Sequence, residues 1–97
     1  MVPLSEKTLD RLSRVFVPAL REQAARLLET ECAENLPFTQ DTDPVKSERL
    51  RFAVMKLSEG RLDTLKKWID EAKIDWRDVL MAAGFGYDVT EHERWNP

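Results

Sequence analysis

Asp75-Trp76-Arg77-Asp78-Val79-Leu80-Met81-Ala82-Ala83-Gly84-Phe85 reads as a short helix with both of its ends marked. Asp75 is placed to cap it, because its carboxylate can accept from an orphan amide of the first turn. Asp78 follows three residues on, where negative charge favours the positive helix start. Ile74 and Val79 stand at the two positions of a hydrophobic staple. Trp76, Val79, Leu80 and Ala83 share one face. Gly84 takes the left-handed conformation of a C-terminal cap at no steric cost, and Phe85 falls where a Schellman ending places its apolar contact, here with Leu80.

The same grammar extends upstream. Leu62, Leu65, Ile69 and Ala72 form a stripe at helical spacing, and Gly60 ends the helix before it. That earlier helix opens at Asp43-Pro44, with Asp43 as cap and proline at the first helical position. Leu50, Ala53, Val54 and Leu57 make its main apolar face, while Val45, Phe52 and Met55 lie on another side. A helix apolar on two sides is central, with neighbours on both. Asn35 to Thr42 is a loop, with Leu36 and Phe38 folded back towards the core. At the start of the chain, Ser5 is a cap, and Leu9, Leu12, Phe16, Leu20, Ala24 and Leu27 follow at spacings of three and four. Pro18 interrupts them, since it lacks a donor and clashes with the preceding turn. After Gly86, Thr90-Glu91-His92-Glu93 resembles a capping box able to start one turn, and Tyr87 and Trp95 are placed to pin this tail to the body.

The expected architecture is therefore all-α. It has about five helices: 5–34 (kinked or broken at Pro18), 44–59, 61–73 and 76–83, with one turn after Thr90. The tight connections at Gly60 and at 73–75 imply stacked antiparallel helix hairpins, as a small bundle or short superhelical array. Residues 1–97 form a single helical domain, with 86–97 a partly ordered C-terminal tail.

Composition agrees. The chain has 97 residues, 42% hydrophobic and 34% charged. Such a mixture suits amphipathic helices with solvated charged faces and excludes a disordered polar chain. Net charge is −3. Bases and acids nearly balance up to Asp78, and the small acidic excess gathers in the tail. No segment has the positive charge of a duplex-binding arm. The single cysteine, Cys32, forms no internal disulfide and lacks metal-site spacing. The first residues carry neither a basic nor an apolar region of a signal peptide, and no apolar run reaches membrane-spanning length. A cytoplasmic location is expected.

The blocks Lys56-Leu57-Ser58-Glu59-Gly60-Arg61-Leu62 and Asp75 to Phe85 resemble a family of small all-helical bacterial proteins. The resemblance covers roughly 29–85, and the second block is the more specific. No activity, ligand or partner is established for that family. The resemblance therefore implies a bacterial, cytoplasmic, helical fold and transfers no site residue.

Candidate chemistry is sparse. His92 stands beside Glu91 and Glu93 with Asp88 near, but neighbouring helical residues do not converge on one point, so a solvated tail is the expectation and no metal site is assigned. Cys32 lies near a helix C-terminus, where the dipole disfavours thiolate, and reads as a structural cysteine. The three glycines have turn and cap roles, and none forms a phosphate-cradling loop. Glu31 falls within an apolar stripe, and a splayed helix end that leaves it wet is the favoured reading. Trp76 is expected in the core. Trp68 flanks the Leu65/Ala72 face, and Arg77 lies beside Met81 as a contact or ion-pairing residue.

The candidate interaction surface is Val45, Arg49, Phe52, Met55 and Lys56. An aromatic between bases can stack on a base or meet an acidic partner. Basic stems covering a buried ring give the same pattern. Partial exposure of this side is expected because so few helices exist to cover both faces. The function implied is a non-enzymatic protein–protein interaction module or homo-oligomer, without cofactor or metal. The alternative is a helix-turn-helix-like nucleic-acid binder using the Trp76–Ala83 helix. That helix offers Arg77 alone as a base, which disfavours nucleic acid. An enzyme is the least supported class, for want of a convergent polar set.

Overall fold

A computed structural model describes residues 4–30, 44–86, 91–95 and 97, with the backbone alone for 44–47. The described chain is all-helical: α1 (Glu6–Val15), α2 (Pro18–Thr30), α3 (Pro44–Ser58), α4 (Leu62–Ala83) and a 3-10 turn, η1 (Glu91–Arg94). The expected count was five. Among the described residues there are four α-helices, because the segments 61–73 and 76–83 run together as α4.

The chain breaks at Pro18 into two helices. Ser5 caps α1, accepting from the Thr8 amide at 3.2 Å. Phe16, the residue that ends α1, is extended, two residues before Pro18. Pro18 then opens α2 at the position where a missing donor costs least. Arg21 of α2 reaches back to the end of α1, with Nε donating to Phe16 O at 3.1 Å and Nη2 to Ser13 O at 2.7 Å. One guanidinium thus satisfies carbonyls that the break orphans.

Helix α3 is the centre of the molecule. Leu50, Phe52, Ala53, Val54 and Met55 are all buried on it, and α4, α1 and η1 all pack against it. Arg51, also buried, donates from Nε to Leu28 O at 3.2 Å and ties the last turns of α2 to α3. The turn after α3 uses two left-handed residues, Glu59 (φ 54°) and Gly60 (φ 80°). Ser58 Oγ, fully buried, donates to Met55 O at 2.6 Å and accepts from Gly60 N at 3.2 Å.

Helix α4 packs its Leu65, Ile69, Ala72, Val79, Leu80 and Ala83 side inward. Asp75 departs from helical geometry (φ −150°, ψ 93°) and kinks it there. Its Oδ1 accepts from the Arg77 amide at 3.1 Å, the cap expected of it. The staple does not form: Val79 is buried, but Ile74 is 78% exposed. The kink turns Ile74 outward before the second half begins. Asp75→Ala should therefore lower stability by about 0.5–2 kcal/mol, read by urea denaturation; an unchanged midpoint would mean the cap contributes nothing. The far end matches its sequence signature. Gly84 is left-handed (φ 82°), its amide bonds Met81 O, and the Phe85 amide bonds Leu80 O at 2.8 Å. That is a Schellman ending.

Asp43, the loop from Asn35 to Thr42, Glu31, Cys32, Tyr87, Asp88 and Thr90 lie outside the described residues.

Candidate functional site

The side chains expected to form an interaction surface have other duties. Phe52 and Met55 are fully buried. Both find their neighbours within the chain, which corrects the partial exposure expected of them. Arg11 from α1 lies over the Phe52 ring, 5.3 Å from its centroid. His92 and Trp95 close the other sides, with centroids 5.3 and 6.0 Å away in edge contacts. Lys56 does not flank Phe52. Its ammonium donates to Ala83 O at 2.8 Å and sits 5.0 Å over the Phe85 ring, at the negative end of α4. Arg49 donates through Nε to Phe85 O at 3.1 Å, and through Nη2 to the same oxygen. Val45 is placed on the first turn of α3, and its side chain lies outside the described residues.

These bonds hold the C-terminal half of α4 beside α3, and a groove of about 420 Å³ opens there. Arg49, Trp76, Arg77, Leu80, Met81 and Gly86 line it. Trp76 is half-buried and packs against the core, as expected of it. Leu80 is buried at the base, whereas Met81 is 47% exposed. The Arg77 guanidinium lies 5.4 Å from the Trp76 ring centroid. Among the described residues no carboxylate pairs with Arg77, and no acidic side chain lines the groove. Gly86 makes the approach possible: a Cβ there would run into the Met81 side chain. A second concavity of about 300 Å³ lies between α2 and α4, lined by Leu27, Lys66, Ile69, Asp70 and Lys73. Among the described residues it offers no aromatic ring, and its Lys73 already has Asp70 4.0 Å away.

No family model matches the chain, and neither a curated protein nor a solved structure shows significant similarity to it. The site must be read from its own geometry.

His92 is the largest departure from expectation. It is fully buried, not solvated, because η1 folds against α3 and inserts the imidazole between Phe52 and Phe85. Its Nε2 faces Glu48 Oε2 at 3.5 Å, and Glu48 Oε1 accepts from Ser5 Oγ at 2.6 Å. This order, serine to carboxylate to imidazole, is wrong for nucleophilic catalysis. A triad needs the imidazole between the acid and the hydroxyl. Trp68 packs half-buried against the core.

Elsewhere, the carboxyl of Asp63 lies below its usual range, through hydrogen bonds from the Arg61 guanidinium and the Thr64 amide. It is fully exposed at the start of α4 and belongs to no cluster. Sequence reasoning missed the groove because Arg49 and Met81 are far apart in the chain and join only when α3 packs on α4. Arg77 beside Met81 was the one local sign of it.

Proposed function

We propose that this chain is a bacterial cytoplasmic interaction module that binds an acidic, apolar-anchored peptide segment of a partner protein in the groove between α3 and α4. The observation that carries this reading is the state of Arg77. Its guanidinium is laid over an indole at the lip of an apolar groove, with no carboxylate of the described chain beside it. Planar guanidinium groups pair with carboxylates through two parallel bonds, and the ring below pre-orients this one. Arg49 at the other wall adds a second positive charge. Met81 supplies an adaptable apolar wall, the kind of side chain that re-packs around varied ligands. Aromatic, Met and Arg side chains together are the composition of interface centres.

The charge favours a peptide over nucleic acid. Two arginines neutralise too few phosphates for duplex binding, which draws on several. No helix among the described residues is long and apolar enough to cross a membrane.

Selection from a random peptide library on the immobilised protein tests this. Wild-type protein should enrich sequences with acidic residues flanking a large apolar one. Arg77 is exposed, so Arg77→Glu should stay folded by circular dichroism and weaken the selected peptides by at least about tenfold. Failure to enrich any acidic consensus, or binding indifferent to the charge reversal, would remove the proposal.

A further inference from the structure

The environment of His92 points to a ligand of a different kind. Its imidazole is fully buried, yet neither Nδ1 nor Nε2 has a hydrogen-bond partner. A buried nitrogen with an unused lone pair is costly and calls for an explanation. Nε2 faces Glu48, and Glu93, next along η1, brings a second carboxylate. One ligand atom from each of Glu48, His92 and Glu93 lies within 4.8 Å of the other two.

We propose that Glu48, His92 and Glu93 form a binding site for a divalent transition-metal cation of the zinc type, which clamps the C-terminal turn to α3. The set is one imidazole and two carboxylates, a mixture that suits zinc and its neighbours, whereas calcium and magnesium take oxygen alone. The spacing fits. Around a tetrahedral cation with bonds of about 2.0–2.2 Å, ligand atoms lie no more than about 3.6 Å apart. Nε2 and Glu48 Oε2, at 3.5 Å, already meet that limit. Glu93 has to move closer, by up to about an ångström, and its side chain is exposed.

The surroundings are arranged in the same sense. Ser5 donates to Glu48 Oε1 and thereby leaves Oε2 for the cation, the role of an outer partner that orients a ligand. Two cations stand near. Lys7 is 3.8 Å from Glu93 Oε1, but this pair is exposed and weak, so a metal ion can replace the ammonium. Arg11 turns its guanidinium over Phe52 and donates to the Glu93 backbone oxygen at 3.3 Å, which leaves the carboxylate unclaimed. The metal takes the neutral imidazole through Nε2, with the proton on Nδ1.

The chain has one histidine, so its imidazole resonances report on the site directly. Zn²⁺ added to the intact protein at sub-millimolar concentration should shift the His92 Nε2 nitrogen resonance and raise the melting temperature, and Mg²⁺ should do neither. Glu93→Gln, an exposed change that leaves the fold intact, should weaken Zn²⁺ binding by at least about tenfold. Glu48→Gln should do the same. A histidine signal unmoved by Zn²⁺, including the case where the ion binds Cys32 alone, would overturn the proposal. So would equal binding by wild type and Glu93→Gln.

Discussion

Phe52→Asp should unfold the domain. The ring is fully buried at the meeting of α1, α3 and η1, under Arg11 and against His92 and Trp95. Removing a buried phenyl group alone costs about 3–5 kcal/mol. A carboxylate left in its place adds a desolvation cost of several kcal/mol, which the nearby Arg11 offsets only in part. Against a total stability of about 5–15 kcal/mol for a domain of this size, the sum is enough to abolish folding. Far-ultraviolet circular dichroism and urea denaturation would show it. A variant that keeps its helicity and a cooperative transition would mean that Phe52 is not in a core.

Gly60→Val should be the most damaging glycine replacement. Gly60 has φ 80°, and a Cβ built on it would lie 2.7 Å from the Val15 carbonyl oxygen. That contact is backbone against backbone, at the end of α1, and cannot be relieved by a rotamer change. Gly84 provides the control, since φ is 82° there but the nearest atom to its Cβ is Lys56 Nζ at 3.8 Å. Gly84→Val thus carries mainly the left-handed penalty of about 1–2 kcal/mol. Gly60→Val should carry that and a forced shift of α1 as well, for a loss of more than about 3 kcal/mol. Equal losses at the two sites would show that the close approach of α1 to the α3–α4 turn is not a feature of the fold.

Much of the fold was legible because local signals act over a few residues. Ser5, Pro18, Gly60, Asp75 and the Gly84-Phe85 ending all perform the backbone roles their spacing implies. The misses share a cause, namely contacts between residues distant in sequence. Phe52 was placed on a second apolar side, and only the folding of Glu91–Arg94 onto α3 shows what covers it. His92 reads as tail when its neighbours in sequence are the only guide, while Glu48, 44 positions earlier, is the residue it faces. Arg51 gave no sign of burial, since its contact with Leu28 O depends on where α2 ends. The groove shows the same limit, as Arg49 reaches the α4 terminus only through Phe85 O.

The central claim, that the α3–α4 groove receives an acidic partner segment, is tested most directly by photo-crosslinking in cells. A photoreactive residue replaces Met81 in one variant and Val17, another exposed apolar position, in a second. Position 81 should give a discrete adduct, and mass spectrometry should place the linkage in an acidic, apolar-anchored segment of another protein. Arg77→Glu in the same background should abolish it, and position 17 should give no such adduct. Equal crosslinking at 81 and 17, an adduct to a second copy of this chain, or an adduct that survives Arg77→Glu would contradict the account.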